Sequence, residues 1–138
     1  MNAEAVLDTN IWVYAVSSAP AEHDKKIKAI RLIAMPRSGL SAQVLQEFFV
    51  TVTRKIQQPL AREVALQWVE RMAQLPCLPI DPGLVRRAIE FINRHQISYW
   101  DGAILAAAQM LGASTVYSED LNHGQTYDGV RVVNPFVP

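Results

Sequence analysis

Residues 98–117, SYWDGAILAAAQMLGASTVY, carry the pattern from which the fold follows. Ser98 opens a helix that runs from about Trp100 to Leu111, and Gly112 ends it, because glycine accepts the backbone turn that stops a helix. Ser114 to Tyr117 then reads as a short strand. A polar loop, Ser118 to Gly129, and a last strand, Val130 to Val133, complete the chain up to Asn134-Pro135.

The same alternation extends toward the N-terminus. Cys77 to Ile80 reads as a strand, and Asp81-Pro82 opens a helix that continues to about His95. Pro59 suits the first turn of a helix reaching about Gln74. Leu40-Ser41 is a very short strand, with Ser41 capping a helix from about Ala42 to Lys55. Val44, Leu45, Phe48, Phe49 and Val52 form the apolar face of that helix. A further helix spans about Glu22 to Ala34, with Ile27, Ile30, Ile33 and Ala34 at helical spacing. Ala3 to Leu7 is a buried strand that stops at Asp8-Thr9-Asn10 and leads into a helix from about Ile11 to Ser17. Short apolar strands alternating with helices predict an α/β domain with a mostly parallel sheet. With no repeat, low-complexity tract or linker, residues 1–138 are expected to form a single domain.

Half of the residues are hydrophobic and 19% are charged, a globular balance. Thirteen basic and thirteen acidic side chains cancel, so any nucleic-acid site must be a local patch rather than a property of overall charge. Cys77 is the only cysteine, which excludes an internal disulfide, and its apolar neighbours suit a core residue better than a reactive thiol. The segment Met1 to Leu7 lacks the pattern of a signal peptide, and no apolar run approaches the ~20 residues of a membrane span. A cytoplasmic protein is expected.

Four acidic residues fall where an α/β chain gathers its chemistry, over the carboxyl ends of parallel strands. Asp8 and Asp120 follow the first and the penultimate strand; Glu47 and Asp101 are placed in the first turns of helices reaching the same edge. Each has a structural alternative. Asp8 suits an N-cap, Ser98 and Asp101 match a capping box, Glu47 can face solvent, and Asp120 lies in a turn-like loop. Brought together, two such charges ~5 Å apart repel by roughly 3 kcal/mol at an effective dielectric of about 20. A group of them either raises its own pKa values or holds a hard divalent cation.

Val6-Leu7-Asp8-Thr9-Asn10, Gln46-Glu47-Phe48, Tyr99-Trp100-Asp101-Gly102-Ala103 and Ser118-Glu119-Asp120-Leu121-Asn122 stand in the order of the PIN domain motifs. The chain resembles the single-domain PIN ribonucleases that act as VapC-type toxins in bacterial toxin–antitoxin pairs, from its first strand to its last. The resemblance implies a three-layer α/β/α sandwich with a central, mostly parallel sheet and an acidic pocket that binds Mg²⁺ or Mn²⁺. It further implies a metal-dependent endoribonuclease that cuts RNA phosphodiester bonds, a homodimer, and a cognate antitoxin protein that holds it inactive. Asp8, Glu47, Asp101 and Asp120 match the family's acidic, metal-binding positions, and Asn10 and Ser118 match small polar positions that support the pocket. Asn122 stands where many relatives carry a further Asp, which puts a second metal ion in question.

Candidate phosphate contacts are Lys25, Lys26, Lys28 and Arg31 on the second helix, with Arg54 and Lys55 later; the plainer reading of such a run is a solvated helix face. Tyr14, Tyr99 and Trp100 are candidates for base stacking or for core packing. His123 reads as a loop histidine. A receiver domain or a dehalogenase-like phosphatase would need a late lysine, and none follows Lys55; no P-loop motif occurs. The remaining rival is a catalytically inert PIN-fold module that binds RNA or protein.

Overall fold

The computed structural model describes residues 2–138. These form six strands and six α-helices: β1 (Ala5–Leu7), α1 (Thr9–Ala15), α2 (His23–Ile33), β2 (Ser38–Ser41), α3 (Ala42–Val50), α4 (Arg62–Met72), β3 (Cys77–Leu78), α5 (Pro82–His95), α6 (Tyr99–Met110), β4 (Thr115–Tyr117), β5 (Thr126–Tyr127) and β6 (Val130–Val133). One sheet runs in the order β3-β2-β1-β4-β6-β5, and every neighbouring pair is parallel except β5 with β6. All three residues of β1 are buried, as a strand covered on both faces requires.

From β1 the chain steps outward to β2 and β3, then reverses across β1 to β4. Right-handed crossovers therefore place the helices of the outward steps on one face and those of the return on the other. The packing agrees. α1 contacts α2 and α3, and α3 contacts α4, whereas α5 lies on α6 and α6 on β1, β2, β4 and β6. The result is a three-layer α/β/α sandwich. Among the described residues no helix is long and apolar enough to cross a membrane.

α6 shows why these residues make this layer. Every residue from Gly102 to Ala108 is buried, because the helix is sandwiched between sheet and α5. Small residues are what permit that approach. A Cβ on Gly102 would stand 2.8 Å from Ile92 Cγ2 and 2.9 Å from the Ala88 carbonyl oxygen.

Several elements depart from the sequence expectations. α1 begins at Thr9, because Asp8 caps it directly. The helix expected over Ala42–Lys55 is α-helical only to Val50 and continues as a π-helical turn, Thr51–Lys55. The β-branched run Thr51-Val52-Thr53 is a poor α-helix sequence, and the Thr53 hydroxyl donates to the Phe49 carbonyl at 2.6 Å. Pro59 precedes α4 rather than opening it. The Leu60 N–H is bonded to the Val52 carbonyl at 2.8 Å, which pins this segment to the π turn before the helix starts. In α2, Ile27 and Ile30 are exposed, while Ala29 is buried and Leu32 and Ile33 pack on the core. Cys77 is half-buried. The loop expected over Ser118–Gly129 contains β5, joined to β6 by Asp128-Gly129 at φ 50° and 86°, the two left-handed residues of a type I′ hairpin turn.

Candidate functional site

The strand order reverses between β1 and β4, where an open parallel sheet leaves a crevice beyond its carboxyl ends. Asp8 leaves β1 there, and Ser118 and Asp120 leave β4. The Asp8 N–H donates to the Tyr117 carbonyl at 3.0 Å, so the two exits are fixed side by side. Asp8 has the extended backbone of an N-cap, and its Oδ1 accepts from the Thr9 N–H at 2.8 Å. Its Oδ2 accepts from the fully buried Ser118 hydroxyl at 2.6 Å. Ser118 Oγ in turn accepts from the Asp120 N–H at 3.1 Å and from Asn10 Nδ2 at 3.3 Å. Asn10 Nδ2 also lies 3.2 Å from Asp120 Oδ2, while its Oδ1 accepts from the Glu119 N–H at 3.2 Å. Asn10 and Ser118 thus tie Asp8 and Asp120 into one web.

Glu47 and Asp101 reach the same place with far less bracing. Glu47 lies in the second turn of α3, not the first, and is exposed; Ser41 occupies the N-cap position but makes no side-chain cap bond. The Thr9 hydroxyl donates to Glu47 Oε1 at 2.8 Å. Asp101 forms half of the expected capping box. Its N–H donates to Ser98 Oγ at 3.1 Å, while among the described residues its carboxylate has no hydrogen-bond partner.

Asp8, Glu47, Asp101 and Asp120 all line one cavity of about 620 Å³. Glu22 also lines it, and Lys55 is the one Lys or Arg that does among the described residues. None of the four acids is ion-paired among those residues. Burial pushes the Asp8 carboxyl up to about 6; the Ser118 and Thr9 bonds oppose the rise, and the charges of Glu47 and Asp120 add to it. Asp101 is also raised, first by burial and then by Asp120, against the pull of Ser98.

The other candidates sort themselves by their partners. Lys25 is bound to Glu119 at 2.5 Å and lies over the Tyr14 ring, and Lys26 donates to the Ser17 carbonyl. Tyr14 donates to Glu119 as well; against the upward push of burial, the bonds from Lys25 and Tyr14 and the Lys25 charge hold the Glu119 carboxyl down. Lys28, Arg31 and Arg54 are exposed and do not line the cavity. His123 Nδ1 accepts from the Asn134 N–H at 2.9 Å, a loop role. Asn122 is exposed and outside the cavity lining. Sequence reasoning missed Thr9 as the tether of Glu47 and Glu119 as the anchor of the β4 exit. Thr9 stood inside the quoted motif; nothing local marks Glu119, whose partners lie on α1 and α2.

Among the described residues no three acidic, imidazole or thiol groups converge tightly enough to enclose an ion alone. The donors present are all oxygen, and one of them, Asp8, is largely desolvated yet lacks a cation. Such a set fits a hard ion of the Mg²⁺ type, which takes few carboxylates and retains several waters. It does not fit a soft or a fully enclosed metal.

The PIN domain family model matches residues 5–128. No curated protein matches in sequence. Among solved structures, a toxin–antitoxin complex from Klebsiella pneumoniae is 17% identical, with a TM-score of 0.68 over 96% of this chain and 98% of that one. The sarcin–ricin-loop-cleaving toxin VapC20 of Mycobacterium tuberculosis is 21% identical, TM-score 0.64, covering 84% and 89%. DNA-bound VapBC from Salmonella typhimurium is 22% identical, TM-score 0.64, covering 94% and 96%. At these identities the likeness speaks for the fold. The family match spans the strands and helices that carry all four acids, and the chain belongs to the PIN domain family.

Proposed function

We propose that this protein is a metal-dependent endoribonuclease that hydrolyses RNA phosphodiester bonds as the toxin of a toxin–antitoxin pair, acting in the cytoplasm. One observation carries the reading: four carboxylates from four separate elements line a single cavity without a basic partner. Asp8, Asp101 and Asp120 are its metal-binding and catalytic groups, with Glu47 as a further ligand or a positioner of the attacking water. Bound Mg²⁺ or Mn²⁺ would supply charge relief on the phosphate and a lowered pKa for the attacking water. The chain contributes placement. Thr9 and Ser118 hold both oxygens of Asp8, Asn10 fixes Asp120, and the Asp101 carboxylate is left open toward the cavity.

The inert binding module is the weaker reading, since it gives no account of the unpaired acids. Its one supporting feature was Asn122, which lies outside the cavity lining. The solved VapBC and Klebsiella complexes support an antitoxin partner, and the family resemblance supports a homodimer.

Labelled RNAs incubated with the wild type and Asp101→Asn, in Mg²⁺, Mn²⁺ or EDTA, test this function. Cutting that requires both the ion and Asp101 is expected. Cutting that persists in EDTA, or in the variant, overturns the site; binding of Mn²⁺ to neither protein overturns the metal.

A further inference from the structure

Among the described large apolar residues Trp100 is the most exposed, at 64%. It occupies the second position of α6, beside Asp101, and lines the acidic cavity. Its ring is not loose: Tyr99, which packs on the core, meets it edge-to-face with centroids 5.1 Å apart. A steadied indole at the mouth of a polar cavity is a platform for a flat π-system.

Lys55 ends the π turn that follows α3 and lines the same cavity. It has no ion-pair partner among the described residues. It also lines a smaller cavity of about 240 Å³ that shares Val13 and Glu22 with the first, so the two form one furrow. Beyond Lys55 the furrow carries Ser17, Ser18, Gln57 and Gln58, neutral side chains able to hydrogen-bond.

We propose that Trp100 and Lys55 form a nucleotide subsite, with an unpaired base stacked on the indole and a phosphate of the same strand held by the ammonium. The subsite rests on the ribonuclease function above and assigns two residues of this chain to holding the strand. The faces of bases in a duplex are covered by their neighbours, whereas a single strand presents them for stacking. Among the described residues Lys55 is the one Lys or Arg lining the furrow, and its ammonium would hold a phosphate where it would repel a basic side chain.

The test combines kinetics with fluorescence. Trp12 is buried and Trp68 half-buried, so a ligand at the site reports mainly through Trp100. Addition of a single-stranded oligoribonucleotide to Asp101→Asn is expected to quench emission, with little effect from the same strand in a duplex. Trp100→Ala and Lys55→Ala should each raise KM roughly tenfold while nearly keeping kcat, and Trp100→Phe and Lys55→Arg should recover most of the loss. All four changes are at exposed positions, and matched circular dichroism confirms folding. Unaltered KM in Trp100→Ala with wild-type cleavage intact overturns the subsite and leaves the ribonuclease standing. Absence of any RNA cleavage by the wild type overturns both. Quenching by an arginine-rich peptide but not by RNA overturns the subsite and reassigns Trp100 to a basic protein partner.

Discussion

The two sides of the acidic cavity are built differently. Where β1 and β4 end, Asp8 and Asp120 are held through Ser118 and Asn10, and the central hydroxyl is fully buried. On the helical side, Glu47 has one hydrogen bond and the Asp101 carboxylate has none among the described residues. Burial in that web pushes the Asp8 carboxyl up to about 6, while Asp120 stays exposed. On the helical side Glu47 is exposed and Asp101 is half-buried, and neither carboxylate is tied down by more than one hydrogen bond among the described residues. One wall is preorganised for placement, and the other can adjust to whatever enters.

If that contrast holds, damage should scale with bracing. Asp8→Asn should cost the most activity, on the order of 10³-fold in kcat/KM, because it removes a charge that several donors were set to hold. The same variant should gain stability in metal-free buffer. Folded Asp8 holds its proton up to about pH 6, whereas its ordinary value is 3.8. Its contribution to stability is therefore complete below about pH 4, declines as pH rises to about 6, and amounts to on the order of 3 kcal/mol. Thermal melts in EDTA from pH 4 to 8 should show that decline in the wild type and a flatter profile in Asp8→Asn. Equal profiles would mean that Asp8 is not desolvated.

Ser118→Ala strikes the hub without touching an acid. It should lose about 1–3 kcal/mol, since a buried hydroxyl with three partners disappears, and lower activity roughly 10–100-fold. With the Ser118 bond gone, the Asp8 pKa should rise further, so the stability decline should end at a higher pH. A variant as active and as stable as the wild type would show that the web is ornamental. Thr9→Val should matter least. Glu47 is exposed, so stability should change by less than about 0.5 kcal/mol and kcat/KM by only a few-fold, with Thr9→Ser retaining the wild-type rate. A loss as large as that of Ser118→Ala would erase the distinction between the two walls.

The difference between the walls also governed what the sequence disclosed. Asp8, Asn10, Ser118 and Asp120 sit in short motifs at strand ends, and alternating apolar strands and helices are enough to bring those ends together. The helix over Pro82–His95, the stop at Gly112 and the strand at Val130–Val133 were legible because their signals are local. The type I′ hairpin was also written locally, in Asp128-Gly129, but the surrounding polar residues made the whole segment look like loop. The π turn at Thr51–Lys55 was not legible, since it depends on how Leu60 folds back on Val52. Nor was the exposure of Ile27 and Ile30, where helical spacing gave the right element but did not separate them from Ile33, which packs on the core. Glu119 was invisible for the same reason: its meaning comes from Lys25 and Tyr14, which only the tertiary fold brings near.

The Ser118 hydroxyl donates to an Asp8 that stands 110 positions earlier in the chain. During synthesis, Asp8 emerges 110 residues before the partner that holds it. The central strand pair closes only when β4 arrives, and such long-range pairing is slow compared with local helix formation. A nascent chain therefore carries its acids apart, with no cavity to gather them. An interruption before β4 leaves Asp8, Glu47 and Asp101 without Ser118 and Asp120, and so without the cavity that gathers them.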